Sequence, residues 1–163
     1  MLSMNPKELF NFFQQHAICE SLTFPEVERL MAYLQEKSYA AGEIISDAGE
    51  VSEALGYVIN GKVQFSSFDG QDAAIVGKQD EGSLVGEMSF FDRKPRNLRM
   101  EASKKGVLMF ILTRAMYDRI KVEEPFIAVN ILENAIVSLD NLVRHMGDDI
   151  SALGHYMQGF GKH

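Results

Sequence analysis

The sequence predicts a mainly β domain with flanking α-helices: an antiparallel barrel preceded by two short helices and followed by a long one. Three observations carry this. Between Tyr39 and Leu112, glycine-containing pairs cut the chain into strand-length pieces. On either side of that stretch, apolar residues recur at helical spacing instead. With 163 residues, 46% of them hydrophobic, the chain can bury one good core but not two ordinary ones.

The first helix is expected over Pro6 to His16, where Leu9, Phe10, Phe12 and Phe13 make a broad apolar face and Pro6 suits a first turn. A second is expected over Pro25 to Glu36, with Val27, Leu30, Met31 and Leu34 at helical spacing and Thr23 and Glu26 spaced as a capping box. The turn pairs are Ala41-Gly42, Ala48-Gly49, Asn60-Gly61, Asp69-Gly70, Glu81-Gly82 and Lys105-Gly106. Leu55, Tyr57 and Ile59 alternate before Asn60-Gly61, and Val63, Phe65 and Ser67 after it. That segment reads as a hairpin with one buried face. Successive hairpins suggest a closed or nearly closed antiparallel barrel, which also deals with exposed strand edges. Beyond Thr113 a short helix fits Arg114 to Lys121, and a long one runs from Pro125 through Met146 without an interrupting Gly or Pro. Gly147 to His163 is expected to be a frayed end or a small docking segment. The expected divisions are thus 1–21, 22–146 and 147–163.

A net charge of −7 argues against broad attraction to nucleic acid, and the segment after Met146 is too short for a helix-turn-helix module, so DNA is not an expected partner. No uninterrupted apolar run reaches the roughly 18 residues of a membrane span. The single cysteine, Cys19, cannot form an intrachain disulfide, and MLSMNPKELF lacks the apolar core of a signal peptide, so a cytoplasmic setting is expected. No histidine occurs between Ala17 and Arg144, which leaves the strands without imidazole ligands, so no metal is expected. There is no nucleophile elbow, Walker-type loop or Cys-x-x-Cys pair, and no enzymatic activity is expected.

The stretch richest in chemistry runs from Val85 to Arg99. Gly86 permits close approach of a ligand, and a short helix from Glu87 would direct free backbone N–H groups at an anion. Arg93, Lys94, Arg96 and Arg99 make a basic field inside an acidic protein, and a guanidinium can grip two phosphate oxygens. Glu87 would suit a sugar hydroxyl instead of the phosphate. A solvated basic loop is the plainer reading of Arg93 and Lys94.

Here the sequence resembles the cyclic nucleotide-binding domain family. Gly86-Glu87-Met88-Ser89 and Pro95-Arg96 match its phosphate-binding cassette. Ala41-Gly42-Glu43-Ile44-Ile45, Gly49-Glu50 and Gly56 to Val63 match its strand and turn pattern. The resemblance covers about Leu22 to Met146. It implies a jelly-roll-like β-roll (a double-stranded β-helix) with N-terminal helices and a long C-terminal helix. It also implies ligand binding by Gly86, Glu87, Met88, Ser89, Arg96 and Asn97. Arg96 would take the exocyclic phosphate oxygens and Glu87 the ribose 2′-hydroxyl, with backbone N–H groups near Met88, Ser89 and Asn97 completing the site. The chain departs from the pattern at Asn97, Leu98 and Arg99, and at the base end it offers Leu142-Val143 with Asn141 and Arg144 nearby. Lack of Thr at 97 favours cyclic AMP over cyclic GMP as ligand.

On the long helix, Ala128, Leu132, Ala135, Leu139, Leu142 and Met146 follow coiled-coil spacing and are expected to face a second copy in a homodimer, while Val129, Ile136 and Val143 face the barrel. The expected function is a sensor signalling through movement of this helix, with a further protein target. The alternative is a ligand-free interaction or scaffold protein of the same fold, which Asn97 and Leu98 favour.

Overall fold

The computed structural model describes residues 2–69 and 72–160. Helix α1 (Pro6–Gln15) starts at an Asn5–Glu8 capping box and buries Leu9 and Phe13. Helix α2 (Phe24–Met31) has the expected Thr23–Glu26 box, Thr23 N–H donating to Glu26 at 2.9 Å. It ends before the expected Glu36, because Tyr33 and Leu34 turn into the core and Gln35 already pairs with Ile111 in strand β1 (Gln35–Tyr39). Between the two helices Cys19 is buried, and burial pushes its thiol up to about 12, so it packs as a small apolar residue.

The remaining strands are β2 (Ile44–Ser46), β3 (Ala54–Asp69), β4 (Asp72–Gln79), β5 (Leu84–Val85) and β6 (Arg99–Thr113), with α3 (Glu87–Asp92) between the last two. They form one antiparallel sheet in the order β1-β6-β3-β4, with β2 added to β6 and β5 to β3. The long strands change partners along their length. β6 pairs with β2 at Met100 and Glu101, then with β1 from Val107; β3 pairs with β5 at Gly56 and Tyr57, then with β4 from Val63. The sheet therefore wraps its own apolar cluster, built on Val58, Val63, Val85, Met100, Ala102 and Met109.

Asn60-Gly61 and Lys105-Gly106 do not end strands. Both lie inside long ones, and the register between β3 and β6 shifts on either side of Gly61. A residue in the left-handed region can serve a bulge as well as a turn. Gly61 (φ +85) and Gly106 (φ +75) meet so closely that a Cβ on Gly61 would lie 2.3 Å from the Gly106 carbonyl oxygen. The expected hairpin is thus a bend in paired strands. Leu55, Tyr57 and Ile59 face the helices while Val58 faces the sheet interior, so both faces of this segment are buried. Ala41-Gly42, Ala48-Gly49 and Glu81-Gly82 do lie between strands; Gly70 of the fourth pair lies outside the described residues.

After β6 come α4 (Arg114–Glu123) and α5 (Pro125–Phe160). The long helix continues through Gly147, Gly154 and Gly159, where the sequence predicts a frayed end or a docking segment; each internal glycine costs about 1 kcal/mol, which weakens a helix without forbidding it. Residues 161–163 lie outside the described part. The faces of α5 also differ from expectation. Ile127, Ala128, Ile131 and Ala135 are buried against the domain, whereas Val129, Ile136 and Val143 are exposed. Ala128 and Ala135 thus belong to the intramolecular core, because their small side chains let α5 approach closely. By length and composition alone, Pro125–His145 (mean hydropathy 1.4) could cross a bilayer. Charged residues interrupt that run, so a search for unbroken apolar sequence passes over it.

Candidate functional site

Strand β5 delivers the chain to Gly86, which caps α3 at φ +87. A Cβ there would lie 3.0 Å from the Ala54 carbonyl oxygen and 3.1 Å from Ser52 Oγ, so both conformation and space call for glycine. The helix that follows turns Glu87, Ser89 and Phe90 inward and leaves Met88 exposed.

The loop after α3 is braced from several sides. Ser89 Oγ accepts from the Ser52 N–H at 2.8 Å and donates to the Lys94 carbonyl at 2.6 Å. Arg96 donates its backbone N–H to the Glu50 carbonyl and accepts from the Gly49 N–H, both at 2.8 Å. From the start of α4, Arg114 donates to the carbonyls of Ser52 (3.0 Å) and Phe90 (2.8 Å), with its guanidinium 4.2 Å above the Phe90 ring. These bonds fix the backbone at Arg96 and leave its side chain unspent.

The Arg96 side chain is partly buried, and its Nε has no hydrogen-bond partner. Burial pushes the guanidinium pKa down, with Glu50 and Glu87 opposing the shift. A buried donor without an acceptor is costly, and an entering anion would satisfy it with a charge-assisted bond. Glu87 is buried, and its Oε1 accepts from Ser138 Oγ of α5 at 2.8 Å. Burial raises its pKa, while bonds from its own N–H and Ser138 and the charge of Arg96 pull the other way.

Glu87 and Arg96 line a cavity of about 520 Å³, a size suited to a small molecule. The cassette supplies its polar end; Phe65, Leu84, Val85 and Leu142 supply apolar wall, and Lys78 and His145 add polar groups. All six sequence-expected residues, Gly86, Glu87, Met88, Ser89, Arg96 and Asn97, line it. The Ser89 hydroxyl, however, is committed to the loop. The basic run is divided. Arg93 is exposed at φ +59 and is not part of the lining, while Arg99 makes a two-pronged pair with Asp47 (3.0 and 3.2 Å) and sits 4.3 Å above the Phe68 ring. Ser138, Lys78 and His145 were not legible as site residues: Ser138 and His145 lie far beyond the cassette in sequence, though His145 is one turn past Leu142, and Lys78 stands on the preceding strand β4 with no motif to mark it. Among the described residues, no group of three His, Cys, Asp or Glu could hold a metal ion.

The family model described as "Cyclic nucleotide-binding domain" matches residues 36–122, more than half the chain, and the chain belongs to that family of regulatory domains. Among solved structures, it is similar to a cyclic nucleotide-binding domain from Methylobacillus flagellatus (20% identity, 90% of this chain and 84% of that one, TM-score 0.78). It is also similar to the Thermus thermophilus catabolite activator protein (24%, 84% and 62%, TM-score 0.69). A third likeness is to the regulatory domain of Toxoplasma gondii PKA crystallised with cAMP (19%, 82% and 49%, TM-score 0.64). At these identities the likeness shows the fold: an antiparallel β-roll with N-terminal helices and a long C-terminal helix. The chain spans less than two thirds of the latter two proteins. No curated protein matches it in sequence.

Proposed function

We propose that this chain is a non-enzymatic, cytoplasmic sensor that binds cyclic AMP in preference to cyclic GMP and signals to a protein target by moving α5. The single observation that carries the reading is the Arg96 guanidinium, fixed at its backbone and with a buried Nε lacking an acceptor, on a cavity that also holds the Glu87 carboxylate. In this reading Arg96 binds the cyclic phosphate, Glu87 accepts from the ribose 2′-hydroxyl, and backbone N–H groups near Gly86, Met88, Ser89 and Asn97 share the remaining oxygens. The base lies toward Leu84, Val85 and Leu142. Asn97 in place of Thr supports the cyclic AMP preference. Calorimetric titration with cyclic AMP, cyclic GMP and a cyclic dinucleotide tests it: cyclic AMP should bind tightest, and a tighter fit for either of the others would overturn the choice.

The exposed apolar stripe of α5 supports a homodimer. Val129, Leu132, Ile136 and Val143 are spaced by three, four and seven residues and are 48%, 41%, 59% and 65% exposed. Two antiparallel-sheet domains related by a two-fold axis could bury this stripe against its own copy. A second reading, a ligand-free interaction protein, draws on the bulky Leu98 in the cavity lining. In that case the same titration gives no heat with any cyclic nucleotide while the dimer persists.

A further inference from the structure

Helix α5 changes its surroundings along its length. Up to Ala135 it is clamped by buried apolar contacts, and from Leu142 to His145 it contributes to the wall of the cavity. Between the two stands Ser138, whose hydroxyl donates to Glu87 Oε1 at 2.8 Å. Among the described residues, this is the side-chain hydrogen bond that joins α5 to the cassette.

Resting on the nucleotide-binding reading, we infer that Ser138 is an affinity-determining residue that competes with the ribose hydroxyl for the Glu87 carboxylate. Glu87 is buried, and the serine holds its Oε1. A sugar hydroxyl directed to that oxygen displaces the serine. The displaced hydroxyl has somewhere to go. One turn earlier, Asn134 Oδ1 is buried without a donor, and a helical serine can also turn to the carbonyl four residues before it. Ligand entry thereby exchanges a bond between α5 and the cassette for one within α5, freeing the cavity-facing turns from the site.

The sign of the effect follows. Ser138→Ala removes the competitor and should bind cyclic AMP about three- to tenfold more tightly than the unmodified chain, which must exchange a bond to a charged group for a weaker neutral one within α5. The gain should vanish with 2′-deoxy cyclic AMP, which brings no hydroxyl to Glu87. The experiment is a calorimetric titration of both proteins with both nucleotides, thermal melts verifying that each is folded. Unchanged or weaker cyclic AMP binding by Ser138→Ala would mean that the serine orients Glu87, and would overturn the competition. An equal gain with the 2′-deoxy nucleotide would overturn it too, pointing to a generally loosened helix. If the unmodified folded chain binds neither nucleotide, the nucleotide reading itself fails, a result distinct from both.

Discussion

Replacing Arg96 by alanine separates binding from stability. Its backbone bonds to Glu50 and Gly49 survive the change, so the loop keeps its path. The side chain that is lost has a buried Nε without a partner, and burial disfavours its charge. Truncation therefore removes a desolvation cost from the ligand-free protein, whose melting temperature should hold or rise. A bound phosphate loses at least one charge-assisted hydrogen bond, worth about 1.5–3 kcal/mol, so cyclic AMP affinity should fall roughly ten- to 150-fold. Arg93→Ala is the control: that side chain is exposed and outside the cavity lining, so affinity should stay within about twofold. Titration calorimetry measures the binding and differential scanning fluorimetry the stability. Equal losses of affinity at the two positions would refute the assignment of Arg96, as would an Arg96→Ala protein that melts lower and binds normally.

Glu87→Gln should stabilise the ligand-free domain more at pH 8 than at pH 4. The raised pKa of Glu87 means the fold holds its proton more tightly than the unfolded chain does, so native stability declines as pH rises through that value; melts at the two pH values that show the opposite trend would contradict this. Gly61→Ala should cost about 1–3 kcal/mol, from a strained positive φ and the 2.3 Å approach to the Gly106 carbonyl, read from denaturant midpoints. Ile136→Asp places a charge in the exposed α5 stripe and should convert dimers to folded monomers by light scattering. A monomeric unmodified chain at high micromolar concentration would remove the dimer from the proposal.

Local chemistry was the most readable part of this sequence. The capping box at Thr23 and Glu26 and the start of α3 at Glu87 depend on near neighbours and emerge as expected, and Glu87 and Arg96, close in sequence, line one cavity. Asn60-Gly61 misled because a left-handed glycine fits a hairpin turn and a bulge equally; only its encounter with Gly106, far along the chain, distinguishes them. The two stripes of α5 were separable by period but not by direction. Which one packs inward depends on how the helix leaves Glu124, and alanines at 128 and 135 suit close packing on a sheet as well as on a second helix. The bond from Ser138 to Glu87 and the pairing of Arg99 with Asp47 join residues about fifty positions apart, beyond the reach of any periodicity.

The most direct test of the cyclic nucleotide site is a calorimetric titration of nucleotide-stripped, unmodified protein with cyclic AMP at neutral pH, 5′-AMP serving as comparison. A saturable isotherm with one site per chain is expected, with much weaker binding of the open monophosphate. Absence of heat with cyclic AMP up to about 1 mM, where even a free energy near −4 kcal/mol would register, would contradict the assignment of this cavity.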